Sequence, residues 1–97
     1  MRITYHQAAE AEAEAAAQWY AQRDLSAAEG FIAELRNGEK AITEAPERWA
    51  PSARGTRRYL MDRYPFAIVY RRDGELIQII AVAHLRRRPR YWTNRTT

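Results

Sequence analysis

At 97 residues the chain is one domain, 1–97, and it has no cysteine for a disulfide framework or a thiolate metal site. Its net charge of +4 hides an uneven division: residues 1–50 carry five basic and nine acidic side chains, whereas residues 51–97 carry eleven arginines against Asp62, Asp73 and Glu75. No apolar run approaches the roughly 18 residues needed to span a bilayer, and the first residues run straight into an alanine/glutamate stretch unlike a signal peptide. A cytoplasmic protein with no membrane partner is therefore expected.

A chain this short buries about 60–65% of the surface its unfolded form exposes, enough for one core with little to spare. Much of the 46% apolar fraction is alanine, so the core is thin, and a partner that adds buried surface suits it. Fifteen of the sixteen basic residues are arginine, whose planar fork matches phosphate or carboxylate better than a lysine does. The second half of the chain is expected to meet an anionic ligand, either nucleic acid or an acidic protein segment.

Arg2 to Tyr5 alternates polar and apolar residues and suits a short first strand. Gln7 to Arg23 is almost pure helix former, with Ala9, Ala13, Ala16, Ala17 and Tyr20 at helical spacing on an inward face. The glutamates of this helix, Glu10 and Glu14 among them, are expected to face solvent. Asp24-Leu25 breaks the run, and Ser26 with Glu29 has capping-box spacing for a second helix. That helix places Phe31, Leu35 and Ile42 on one stripe and ends at Pro46. Gly38 inside it costs about 1 kcal/mol relative to alanine, so it either permits a close contact or marks a weak point. Two helices joined so briefly form an antiparallel hairpin.

Residues 46–55 read as a loop anchored by Trp49. The period then changes to two. Arg57 to Met61 is a strand, and Tyr64 to Arg72 is another, with Phe66, Ile68 and Tyr70 on one face and Ala67 and Val69 on the other. Asp73-Gly74 is a two-residue hairpin signal. Glu75 to His84 follows as the most apolar segment, a central strand covered on both faces. The resulting fold class is α+β: a short N-terminal strand, a helical hairpin, then a three-stranded antiparallel meander. One sheet face packs on the helices and the other is at least partly free.

This order, and the local text along it, resembles the RelE/ParE toxin superfamily. The first helix ends in paired aromatics, Trp19-Tyr20. The second carries Phe31, Glu34, Leu35 and Ile42 and closes on Pro46. A glycine–arginine strand follows, Gly55-Thr56-Arg57-Arg58, and then an aromatic–proline strand from Tyr64-Pro65 to Tyr70. The last strand ends in Ala81-Val82-Ala83-His84, followed by Arg86-Arg87-Arg88-Pro89 and Tyr91-Trp92. The ordered set, which covers nearly the whole chain, carries the resemblance; no single piece does.

The resemblance implies the toxin of a type II toxin–antitoxin pair, held by an acidic antitoxin and needing no cofactor or metal. Its activity is then one of two. ParE-like members bind and poison DNA gyrase, and RelE-like members cleave messenger RNA on the ribosome. A nuclease of the second kind must handle protons and stabilise phosphate charge; His84 and Tyr91 are the candidate catalytic groups. Arg57, Arg58, Arg86, Arg87 and Arg88 are the candidates for binding an anion or the target. RelE-like enzymes often carry lysines or an additional acid on the second and third strands, and this chain has no lysine after Lys40, which tilts the reading towards gyrase. A non-toxic basic RNA-binding module is the third reading, resting on charge alone. His84 reads slightly better as a strand-end hydrogen-bonding residue, and Trp92 reads as a cover for the core rather than as a ring stacked on exposed bases. Arg57 and Arg58, as strand neighbours, face opposite sides of the sheet, so at most one lies on the free face.

Overall fold

The computed structural model describes residues 1–97. Strand β1 (Arg2–Tyr5) leads into helices α1 (Gln7–Ala21) and α2 (Leu25–Glu44). Four more strands follow: β2 (Ala50–Pro51), β3 (Arg57–Leu60), β4 (Phe66–Asp73) and β5 (Leu76–His84). Together they form one five-stranded sheet in the order β1-β5-β4-β3-β2, in which β1 runs parallel to β5 and the other neighbours are antiparallel. The expected strand, helical hairpin and meander are all present. Two features go beyond them. β1 joins the meander at its β5 edge, and two residues of the expected 46–55 loop pair with Arg57 and Arg58 as β2.

The helix caps follow from polar side chains next to each helix start. The His6 ring caps α1 through Nδ1, which accepts from the Ala8 N–H at 3.0 Å. α2 starts earlier than its Ser26/Glu29 spacing predicts. Asp24, in extended backbone, is the N-cap, and its carboxylate accepts from the Ser26 N–H at 3.0 Å. A carboxylate at that point also meets the positive end of the helix dipole, which a serine hydroxyl does less well.

The first core lies between the helices and the sheet. Phe31, Leu35 and Ile42 of α2 and Ala9 and Ala16 of α1 close over Phe66, Ile68, Tyr70, Ile77, Ile79 and Val82. Full burial of each large side chain contributes about 1.5–3 kcal/mol. Gly38 is a point of close approach, because a Cβ there would lie 2.6 Å from Ile68 Cδ1 and 3.0 Å from Tyr59 Cε1. The close contact, and not a weak point, is the reason for the glycine.

A second, smaller core fills the opposite sheet face. Trp92 from the C-terminal segment is buried against Val69, Ile80, Ala81 and Ala83. The face expected to be partly free is thus covered by the tail over much of its area. Both faces of β5 are reached by a bulge: Val69 pairs with Ala81 and Tyr70 with Ile79, which leaves Ile80 as an extra residue. The bulge resets the alternation, so Ile77, Ile79 and Val82 face the helices while Ile80, Ala81 and Ala83 face the tail.

The β4–β5 hairpin turns one residue later than Asp73-Gly74 suggests. Asp73 pairs with Leu76, so Gly74 and Glu75 are the central residues. Only Gly74 of the two has positive φ, at 60°, which is the requirement of a type II′ turn and not of type I′.

Gly38→Ala is expected to lower stability by about 1–3 kcal/mol, despite alanine's better helix propensity, because the new methyl must displace Ile68 and Tyr59. Urea unfolding of the two proteins measures the difference; an equal or higher midpoint for the alanine variant contradicts the packing account.

Candidate functional site

The functional candidates gather at one end of β5, where the strand passes into the arginine-rich tail. His84 is the last residue of β5 and pairs with Phe66. Its ring meets the Phe66 ring edge-on at 5.1 Å, and its Nδ1 accepts from the Arg86 N–H at 3.1 Å. That bond leaves Nε2 as the protonated nitrogen of the neutral ring. The tail then turns through Arg86, Arg87 and Arg88, all exposed, and Pro89 to Arg90. Arg90 sits in left-handed backbone, φ 59°.

Beyond Arg90 the tail is fastened by a network in which Glu12 of α1 is the centre. The Tyr91 hydroxyl donates to Glu12 Oε2 at 2.6 Å, and Arg95 grips both carboxylate oxygens, Nη1 to Oε1 at 2.9 Å and Nη2 to Oε2 at 3.0 Å. The backbone N–H of Val82 also donates to Glu12 Oε1, and Arg95 Nη1 donates to the Ile80 carbonyl. Glu12 and Arg95 are each less than one-fifth exposed. Burial pushes the Glu12 carboxyl up, but the bonds from Arg95, Tyr91 and Val82 together with the Arg95 charge outweigh it, holding the group below the usual carboxylate range. The same arrangement drives the Tyr91 phenol upward, first by burial and then by its bond to Glu12. Glu12 is therefore not one of the solvent-facing glutamates expected of α1.

Tyr91 and His84 line one recess, yet the Tyr91 hydroxyl is turned away from it towards Glu12. Arg87 stacks its guanidinium on the Tyr91 ring, 3.9 Å from the centroid. The recess itself, about 290 Å³, has Ala67, Val69 and Ala83 among its apolar walls and is bordered by Arg58, Arg87, Arg88 and Arg90. No carboxylate lines it. A second, larger groove of about 600 Å³ runs along α1 past Trp19, Tyr20 and Phe66, and the two share His84 and Arg87. Trp19 is 52% exposed in that groove, with the Arg23 guanidinium 3.7 Å from its ring centroid.

Of the arginines singled out in the sequence, Arg58, Arg87 and Arg88 come together around the recess. Arg86 is exposed on the same turn without lining it. Arg57 is elsewhere. It faces the helix side of β3, where its guanidinium donates to the Trp49 carbonyl at 2.8 Å and pairs with Glu47 at 3.2 Å. Three further residues carry the site without having been marked in the sequence: Glu12, Arg90 and Arg95. Arg90 was within reach as the next member of the arginine run. Glu12 stands three residues from Ala9 and four from Ala16, the two buried alanines of α1, and that spacing is the signal that separates it from Glu10 and Glu14. No helix is long and apolar enough to cross a membrane, and no three His, Asp or Glu side chains converge as a metal site requires.

The model of the ParE toxin family of type II toxin–antitoxin systems, parDE, matches residues 3–89. Among solved structures, the chain is similar to one described as a chromosomal ParDE toxin–antitoxin system from P. aeruginosa. The identity is 21% and the TM-score 0.77, and the match covers 88% of this chain and 96% of that one. No curated protein sequence matches.

Glu12→Gln removes the charge but keeps the shape. It is expected to cost about 1–3 kcal/mol at neutral pH by leaving Arg95 without its counter-charge. Because the folded Glu12 carboxyl titrates below its unfolded value, its contribution is complete above the unfolded pKa of about 4.3 and fades as pH falls through the lower, folded one. The stability gap between wild type and Glu12→Gln should thus shrink on acidification below about pH 4. Urea midpoints taken at pH 7, 5 and 3 check this; a gap that stays constant or widens towards pH 3 contradicts the assigned role.

Proposed function

The chain belongs to the ParE toxin family of type II toxin–antitoxin systems, and from that premise we propose that it arrests growth by binding and inhibiting DNA gyrase. The single observation that carries this over a ribonuclease reading is the commitment of the Tyr91 hydroxyl to Glu12. A phenol held as the donor to a half-buried carboxylate, with its pKa raised, is a fastening for the tail and a poor proton shuttle. His84 is engaged in the same way, its Nδ1 fixing the first turn of the tail. Neither candidate for proton handling is paired with the other. In this reading both are structural, and they hold Arg87 and Arg88 in place on a binding surface, beside Arg58. Arg57 stands apart, spent on Glu47, and Arg86 projects from the same turn.

The partner that restrains the toxin is an acidic antitoxin segment. Arg87 and His84 belong both to the recess and to the aromatic groove along α1. A segment with apolar residues for Trp19 and Tyr20 and acids for Arg23 and Arg87 covers both at once. Cytoplasmic action follows from either the gyrase or the antitoxin partner.

Purified protein is expected to inhibit gyrase supercoiling of plasmid DNA. On induction it should arrest growth with an induced DNA-damage response and no new 5′ ends in mRNA. Codon-phased cleavage within translated regions, with supercoiling unaffected, reverses the assignment and makes His84 and Tyr91 the first residues to substitute.

Antitoxin binding is expected to weaken between 0.1 and 1 M salt, across which the Debye length falls from about 10 Å to about 3 Å. Isothermal titration at the two salt concentrations measures it, and an affinity indifferent to salt removes the arginine surface from the interface.

A further inference from the structure

Eight of the eleven arginines of residues 51–97 divide by what holds them; Arg54, Arg63 and Arg86 are neither paired nor at the recess. Arg57 is taken by Glu47 and the Trp49 carbonyl, Arg71 by the Thr96 carbonyl and Gln78, and Arg72 by Glu47, Glu75 and the Gly74 carbonyl. Arg95 is taken by Glu12. These four guanidinium groups are engaged within the protein, three of them with a carboxylate. Arg58, Arg88 and Arg90 form no ion pair and no side-chain hydrogen bond, and all three border the recess at the end of β5. Arg87, the fourth at the border, keeps its charge available while its flat face rests on Tyr91.

Arg90 adds a second kind of observation. Its left-handed backbone, φ 59°, is disfavoured for any residue but glycine, asparagine or aspartate. Such a conformation costs on the order of 1 kcal/mol or more. Glycine would serve the fold better there, and the chain carries an arginine.

The recess has two chemistries side by side. Its apolar lining runs from the nearly buried Ala67, Val69 and Ala83 out to Leu85, Tyr91 and Trp92, and its border is cationic with no acid. A nucleotide unit has the complementary pair, a flat ring beside an anionic phosphate. An aspartate or glutamate offers the charge without the ring. The volume, about 290 Å³, is also too small for a helix, whose diameter with side chains is about 10–12 Å. We propose that this recess binds one nucleotide unit of a single-stranded nucleic acid, its phosphate held by Arg58, Arg88 and Arg90 and its ring laid against the apolar lining. Single strands are the class whose bases are free to leave the stack and enter such a recess. The toxin therefore contacts the nucleic acid itself as well as its protein target. This inference rests on the reading of the tail arginines as a target-binding surface. Its test contains no gyrase, so it stands or falls separately from the supercoiling assay.

The test is fluorescence anisotropy of the full chain with labelled thymidine and uridine oligonucleotides of about 12 nucleotides, within the range of known single-strand sites. Wild type should bind at least one of them, the stronger arm naming the preferred sugar, with log K falling as log salt rises. Arg90→Gly and Arg58→Ala should each weaken binding about tenfold, the size expected for a charge-assisted contact. Each should also reduce the salt slope by about 0.7, one phosphate's share on a single strand. Arg90→Gly should melt at the wild-type temperature or above, since glycine accepts the left-handed backbone; this separates lost binding from lost folding. Arg2→Ala removes the same charge from exposed β1, which pairs with the far end of β5, and should stay within about twofold of wild type, because general attraction changes little with one distant charge. Three outcomes overturn the proposal: Arg90→Gly binding as wild type does, Arg2→Ala costing as much as Arg90→Gly, or an oligoglutamate of equal charge displacing the oligonucleotide at equal concentration.

Discussion

β1 is four residues long and β5 is nine, so beyond Ile79 the outer edge of β5 has no strand beside it. Unpaired backbone groups at a buried edge cost about as much as lost hydrogen bonds. Here the Glu12–Arg95 pair takes the missing strand's place: Glu12 accepts from the Val82 N–H and Arg95 donates to the Ile80 carbonyl. One ion pair thus completes the sheet, fixes the rotation of α1 against it and pins the tail across the opposite face. A half-buried ion pair is weak evidence for stability as such, because desolvation offsets much of its attraction. Its value here lies in specifying one arrangement, since its two members are 83 residues apart in sequence and each completes a different backbone group.

The tail depends on that pair at one end and on β5 at the other. With Arg86 N–H held by His84 and Tyr91 held by Glu12, the segment between them is a short span closed at both ends. Trp92, buried on the tail face, prevents it from lifting away. The arginines in the middle are accordingly exposed but not free to wander with the whole chain end. That is the condition under which a cluster of like charges can present a defined surface. The repulsion among Arg87, Arg88 and Arg90 is tolerated because the anchoring residues flank the cluster and lie outside it.

Much of the architecture was legible because it rests on local periodicity. The period of two in Phe66–Ile68–Tyr70 and the stripe Phe31–Leu35–Ile42 reproduce the core as found. What was hidden involves contacts distant in sequence. β1 alternates as any short strand does, and nothing in Arg2–Tyr5 says that it lies parallel to β5. The two-residue β2 is too short for a period to exist. The turn register moved by one residue because Asp73-Gly74 and Gly74-Glu75 both place a glycine in the turn, and only strand pairing decides which position it takes. Asp24 and Ser26 are both good caps, and the backbone at Asp24 made the choice.

The site divides along the same line. Arg58, Arg87 and Arg88 were readable as candidates, because an arginine run beside a strand end is visible in one dimension. Whether an arginine is spent or available is not. Arg57 and Arg58 are adjacent, yet one is consumed by Glu47 and the other faces an acid-free recess. Tyr91 shows the reverse: its position invites a chemical role, and the carboxylate that occupies it comes from a helix 79 residues earlier. The +8 excess of the second half is therefore not a measure of the surface charge offered to a ligand. Part of it is internal, holding the fold together, and the part that remains is concentrated where the tail leaves the sheet.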